Sequence, residues 1–310
     1  FRAAPLVGLL LGALTLVGCG QGRDTAAVPE RTPTDSTAAF PVTVQAGNGA
    51  VTIPARPERI ISLSPTATES LFAIGAGPQV IAVDDQSDFP PEAPRTDLSG
   101  FKPNVEAIIE RKPDLVVIAN DIDGIAAELT KVGVPVLLEP AAAVLEDGYD
   151  QILDLGAATG NLDQARRVVD DMKRRLEELV AAAPTSKRLT YYHELDTSLY
   201  SVTSRTFLGQ IYGMFGLVNI ADQAPDASGG YPKLSGEFVI KADPDLIFLA
   251  DVECCGQSAE TLAERPGWSR LSAVKEGRVV ELDDDVASRW GPRVVELAEA
   301  VSEAVRKAAA

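Results

Sequence analysis

The chain has 310 residues and a formal net charge of −17, from 45 acidic against 28 basic residues. Such a surface repels nucleic acid and anionic lipid, and it favours solubility or a basic partner. One His and three Cys are too few for a Cys/His zinc site or a disulfide scaffold, so stability must come from a buried core.

The chain opens FRAAPLVGLLLGALTLVGCG. Arg2, an apolar run from Leu6 to Val17, and then Gly18 and Cys19 form the charged start, apolar middle and small-residue cut site of a secretory signal. The run is shorter than the ~20 apolar residues that span a bilayer. The chain starts without Met, which predicts further leader residues ahead of Phe1. The quartet Leu16-Val17-Gly18-Cys19 resembles the bacterial lipobox, whose cysteine is diacylated and becomes the new N-terminus. Residues 1–19 are therefore expected to be a lipoprotein signal, with an ordinary secretory signal as the alternative. Residues 20–40, rich in Gly, Pro, Thr, Ser, Asp and Ala, predict a disordered tether. The mature protein is expected to be extracytoplasmic, anchored by lipid at the outer face of the cytoplasmic membrane or in the periplasm.

Val42, Val44, Val51 and Ile53 flank Gly47-Asn48-Gly49 and predict a small hairpin. A strand–helix rhythm follows. Strands are expected at 59–63, 80–83, 115–118 and 134–138, and helices at 66–74, 104–111 and 125–132. The strands are continuous apolar runs, as in parallel sheets covered on both faces. Residues 41–160 thus read as an N-terminal α/β lobe.

Residues 161–183 differ. Apolar residues at 162, 165, 169, 172, 176 and 179 make a helical stripe, Asn161 with Gln164 suggests a capping box, and Pro184 marks the stop. Arg167–Asp171, Asp171–Arg175 and Arg174–Glu178 are expected as i,i+4 pairs. Lying between two α/β halves, this helix is expected to bridge them. The rhythm then resumes over 184–310, the C-terminal lobe: strands at 189–193, 246–249 and 279–282, helices at 207–215, 236–242, 261–264 and 292–307.

An internal repeat carries the most information. NVEAIIERKPDLVVIAN (104–120) and SGEFVIKADPDLIFLAD (235–251) align without gaps at an offset of 131 residues. Each copy has an N-cap, a short helix, Pro-Asp and a buried strand. The expected fold class is therefore α/β, with two similar lobes joined by a single long bridging helix. Glu106 and Glu237 occupy the second position of each repeated helix. There a carboxylate is favoured by the helix dipole alone. Equally, two acidic residues placed alike on two lobes suit a two-point dock for a basic partner.

With these residues in view, the chain resembles the iron-chelate and cobalamin periplasmic-binding family, the substrate-binding proteins of type II ABC importers. The resemblance covers roughly residues 40–306 and rests on GAVTIPARPERIISLSPTATE, VDDQSDFPPEA, FKPNVEAIIERKPDLVV and YPKLSGEFVIKADPDLIF. It implies a class III periplasmic-binding-protein fold with the ligand cleft between the lobes. It also implies that Glu106 and Glu237 dock into basic pockets of the importer permease. The matching ligand positions are Pro65, Thr66, Gln86, Phe101 and Asn120 in the first lobe, and His193, Tyr231, Asp285 and Arg289 in the second. The implied ligand is a metal chelate: a ferric siderophore, a cobalamin or other corrinoid, or haem. Phe101 and Tyr231 keep the aromatic character of cobalamin clefts, whereas Gln86 and Asn120 depart from it. Arg289 and His193 suit an anionic chelate.

His193 also reads as a structural residue at the end of an apolar strand, and Trp290 as either cleft wall or core. Cys254 and Cys255 admit a vicinal disulfide, a free buried pair or intermolecular oxidation. The expected protein is a monomeric binding protein without catalysis, cofactor, resident metal or nucleic-acid partner. Three further classes use some of these features. A lipid-anchored sensor or adhesin would share the fold without a permease. A zinc or manganese binder would need several His. A hydrolase would need Ser62 or Ser64 beside His193, without the usual nucleophile elbow.

Overall fold

The computed structural model describes residues 39–184 and 188–309, apart from the side chain of Ser228. The expected leader, the tether up to residue 38 and the lipidation of Cys19 lie outside them. No helix among the described residues is long and apolar enough to cross a membrane.

Strands β1 (Val42–Ala46) and β2 (Gly49–Ile53) pair antiparallel, with Val42 opposite Ile53 and Val44 opposite Val51. Gly49 takes φ +97°, the left-handed conformation that this tight turn requires. Next come β3 (Ile60–Leu63), β4 (Val80–Val83), β5 (Leu115–Ile118) and β6 (Val136–Leu138), all parallel in the order β4-β3-β5-β6. Every residue of β3 and β5 is buried, because helices α1 (Pro65–Ala73), α2 (Val105–Glu110) and α3 (Ile125–Lys131) cover the sheet. Asn48 fastens the hairpin to the sheet edge, donating to the Val136 carbonyl at 2.9 Å and accepting from Leu138 N at 3.2 Å.

Helix α4 (Leu145–Thr159) was not expected from the sequence. Its Gly148 and Gly156 read as breakers, yet both mark close packing. A Cβ at Gly156 would lie 2.4 Å from Ala165 Cβ, and one at Gly148 would lie 2.9 Å from the Trp290 carbonyl. Ala165 belongs to α5 (Leu162–Ala182), whose stripe Ala165, Val169, Met172 and Leu176 is buried. The expected capping box is absent. Asn161 makes no side-chain cap; its amide donates to Gln79 Oε1 at 2.9 Å and to Thr159 Oγ1 at 3.0 Å. Of the expected pairs, Arg174–Glu178 forms at 2.9 Å, while Arg167 turns to Gln164 and Arg175 reaches Glu299.

The second sheet holds β7 (Thr190–Glu194), β8 (Val218–Asn219), β9 (Leu246–Leu249) and β10 (Val279–Glu281), parallel in the order β10-β9-β7-β8. Around it lie α6 (Phe207–Met214), α7 (Gly236–Ala242), α8 (Val252–Cys255), α9 (Ala259–Glu264), α10 (Ser272–Lys275) and α11 (Val294–Ala309). Each sheet runs outward from its first strand, then returns to the other side of it.

The repeat is visible in register as well as sequence. Ile60 pairs with Leu115 and Tyr191 with Leu246, both related by the same offset of 131 residues. The repeated Pro-Asp has a structural task. Asp114 accepts from Arg59 N at 2.9 Å, and Asp245 accepts from the equivalent Thr190 N at 2.9 Å. Each carboxylate thus clamps the entry to the central strand. Lys112 and Asp243, also equivalent, both take positive φ (51° and 43°) where the helix turns into the Pro. The largest apolar cluster is shared between the lobes. It runs from Leu71 and Ile74 through Leu155, Val169 and Met172 to Phe248 and Val301. That shared core is threaded by α4, α5 and α11.

Candidate functional site

Open parallel sheets bind ligands beyond the carboxyl ends of their strands, where the strand order reverses. Here a cavity of about 380 Å³ opens at the ends of β3, β4 and β5. Pro65, Thr66, Gln86, Phe101, Asn120, Asp285 and Arg289 all border it, together with Asp84 and Trp290. Ser64 caps α1 by accepting from Ala67 N, which fixes Pro65 and Thr66 at the rim. Gly100 is needed where it stands, since a Cβ would lie 2.5 Å from the Leu63 carbonyl oxygen. Phe101, next to it, is 67% exposed.

Arg289 is the guanidinium in this wall, and it is not free. It bonds Glu69 at 2.6 Å, Asp285 at 2.6 Å and Asp88 at 3.0 Å. Glu69 and Asp88 come from the first lobe, so Arg289 latches the loop after β10 to that lobe. Arg293 adds to the latch, 3.4 Å from Glu69 and with its guanidinium carbon 4.4 Å from the Phe89 ring centroid. Trp290 closes the same seam by donating to Gln151 at 2.8 Å. Burial raises the Glu69 pKa against the pull of Arg289. Burial, with Asp88 nearby, pushes Asp285 up to about 6 despite Arg289. The expected anion receptor is therefore already occupied by carboxylates, and the wall is acidic on balance. Glu69, Asp84 and Asp88 were not singled out from sequence, although two of them lie in the run Asp84-Asp85-Gln86-Ser87-Asp88. Counting the charges of that run against Arg289 would have exposed the problem.

His193 does not join the cavity. It is fully buried, its Nδ1 lies 2.8 Å from the Tyr212 hydroxyl, and burial lowers its pKa to about 3. It is a neutral core residue, as its place on an apolar strand also allowed, and does not face the cavity. No hydrogen bond links it to Ser62, whose hydroxyl donates to the Ser64 carbonyl at 3.2 Å. Tyr231 is 55% exposed and does not border the cavity; like Phe101 it follows a glycine and precedes the repeated helix.

In the second lobe the corresponding strand ends are filled. Glu194 at the end of β7 is held by Arg265, at 2.7 Å from Nη1 and 2.5 Å from Nη2, and by the Tyr192 hydroxyl at 3.0 Å. Asp251, beyond β9, is fully buried with no donor on either oxygen among the described residues. Burial, and then the Glu194 charge, push it up to about 7. Above it, Cys254 and Cys255 are bonded to each other in the helical turn α8, both exposed. The Asp284 carboxylate accepts from Val252, Glu253 and Cys254 N–H groups and pins that turn beside Asp285. Glu106 and Glu237 are exposed in the first turns of α2 and α7, capped by Asn104 and Ser235.

The periplasmic binding protein family pattern matches residues 60–286. The chain belongs to the periplasmic binding protein family. An uncharacterized ABC transporter substrate-binding lipoprotein of Bacillus subtilis is 31% identical over 315 residues, 98% of this chain and 97% of that one. A cobalamin-binding protein of Halobacterium salinarum is 29% identical, covering 84% of this chain and 73% of its own. Among solved structures, the periplasmic vitamin B12 binding protein of Vibrio cholerae superposes with a TM-score of 0.66 at 26% identity, over 83% of this chain and 99% of that one. This periplasmic binding protein is thus an extracytoplasmic ABC-transporter substrate-binding protein. Its two-lobed parallel α/β fold serves to bind a ligand and hand it to a permease.

Proposed function

We propose that this protein captures a neutral, amide-bearing metal chelate of the corrinoid class and delivers it to its importer. One observation carries the choice over ferric siderophores and haem. The wall's Arg289 is bonded to Glu69, Asp88 and Asp285, and with Asp84 also on the cavity the surface that meets the ligand is acidic. Anionic chelates lose energy against such a wall, whereas amide N–H groups find acceptors. The two similar relatives named for cobalamin or vitamin B12 agree with this reading. Pro65, Thr66, Gln86, Phe101, Asn120 and Asp285 would contact the chelate. Residues 41–160 and 184–310 are the lobes, bridged by 161–183, and Cys19 carries the lipid.

Delivery would use Glu106 and Glu237 as the two acidic points of permease contact. Isothermal titration of the full-length protein in detergent with cyanocobalamin, haem and ferric siderophores tests the ligand class. Binding to cyanocobalamin is expected to be the tightest, and tighter binding of an anionic chelate would overturn the reading. For docking, Glu106→Arg with Glu237→Arg should abolish uptake in cells while leaving chelate affinity unchanged. An unaltered uptake rate would sink it.

A further inference from the structure

We infer that Asp84 is a specificity-determining residue of the cavity, selecting ligands that present a neutral N–H or O–H donor there and rejecting those that present a carboxylate. The inference rests on the capture of a chelate in this cavity and names the residue that sorts one chelate from another.

Asp84 directly follows β4 and borders the cavity, yet it is only 1% exposed. Its Oδ1 has no hydrogen-bond donor among the described residues. A buried acceptor left in that state costs free energy that a suitable ligand donor recovers. The hydroxyls of Ser62 and Thr68 are engaged elsewhere. Thr68 Oγ1 donates to Ser62 Oγ at 2.9 Å and lies 2.9 Å from Ser87 Oγ, while Ser62 turns to the Ser64 carbonyl. Gly100 presses on the other side, where even a Cβ would come within 3.0 Å of Asp84 Oδ2. The carboxylate is therefore packed in place beside the cavity lining. No ion pair to Asp84 is formed among the described residues, and Arg289 already carries three carboxylates. A ligand carboxylate brought up to this floor meets a like charge with no paired cation among the described residues, while a ligand amide meets an acceptor. Burial raises the Asp84 pKa against hydrogen bonds from Ser87 and Gln86, so the comparison below is run at mildly alkaline pH, which favours the charged form.

The test uses ligands that share a macrocycle and differ only in amide against carboxylate. Cyanocobalamin and its monocarboxylic derivatives, each with one side-chain amide hydrolysed, are titrated into the full-length protein in detergent. The wild type is expected to favour the amide over at least one derivative by roughly 10- to 100-fold. Asp84→Asn, which keeps the shape and removes the charge, should shrink that ratio to within about 3-fold, chiefly by tightening the carboxylate form. Asp84→Ser is the second variant should the first fail to fold, judged by thermal melting. A ratio unchanged in a folded variant overturns the role of Asp84. Should the wild type bind haem in place of cobalamins, the corrinoid reading falls on its own. Haem against its bis-amide then decides Asp84 by the same ratio. A folded wild type that binds no member of either pair overturns both.

Discussion

At the ends of β3 and β5 the chain leaves Ser64, Pro65 and Asn120 around open space. At the equivalent ends of β7 and β9 it buries Glu194 and Asp251 and fastens the first with Arg265. Strand order and central register are the same in the two lobes. Backbone topology thus makes a crevice in each lobe, and side chains decide which stays open. The first lobe supplies most of the cavity wall. The second fills its own crevice with an ionic cluster and contributes the loop after β10, latched across by Arg289. Each cluster holds a buried glutamate with arginine, Glu194 with Arg265 and Glu69 with Arg289 and Arg293, but one lies within a lobe and the other between lobes.

Removing each arginine breaks that comparison most sharply. Arg265→Ala leaves Glu194 without its cation beside Asp251, and should cost about 3–5 kcal/mol of stability. Arg289→Ala should cost less, about 2–3 kcal/mol, because Arg293 still stands 3.4 Å from Glu69. Urea unfolding reads both, and ligand titration separates them. The Arg289 variant should also weaken chelate binding, since the latched loop forms part of the wall, whereas a folded Arg265 variant should bind nearly as well. Equal binding defects in both would mean that the filled crevice belongs to the site.

A third buried carboxyl sharpens the contrast, because it has no cation. Glu139, just beyond β6, is 4% exposed with one oxygen unpartnered, and forms no ion pair among the described residues. Burial, and then the Asp154 charge, raise its pKa from 4.5 to about 8. The folded state therefore holds a proton that the unfolded chain releases. Its stability contribution is fully present below pH 4.5 and is lost as pH rises through about 8. Glu139→Gln should stabilise the protein by about 2 kcal/mol near pH 8 and by almost nothing in mild acid. Urea melts at both pH values check it, and a pH-independent difference would contradict the burial argument.

Much of the fold was legible because its elements state themselves locally. The buried strands are unbroken apolar runs, and the repeat announces its caps and its Pro-Asp turns. Helix α4 was not legible, since Gly148 and Gly156 look like breakers until α5 and the Trp290 loop are known to press against them. The cavity was half legible. The resemblance put Pro65, Thr66, Gln86 and Asn120 on loops beyond the strand ends, and they border the cavity there. Arg289 was placed too, but not its partners, which lie about 200 residues away in sequence at Glu69 and Asp88. His193 entered the ligand set through the resemblance alone, whereas its place on the buried strand β7 already allowed a core residue, and that is where the structure puts it.

The smallest expected effect tests whether the two repeats are equal in energy as they are in sequence. Asn104 accepts from Ala107 N at 3.1 Å, and Ser235 accepts from Phe238 N at 3.1 Å. Each satisfies one otherwise unpaired amide at the start of a short helix bearing an exposed glutamate. Asn104→Ala and Ser235→Ala should each cost about 1 kcal/mol, the usual worth of such a cap. The double variant should lose the sum, because the two caps share no partner. Matched losses would mean that both glutamates are presented on equally firm helix starts, as a two-point dock requires. A cost confined to one lobe would mean that the other helix start is held by tertiary packing instead, and that the likeness of the two acidic points ends at the backbone.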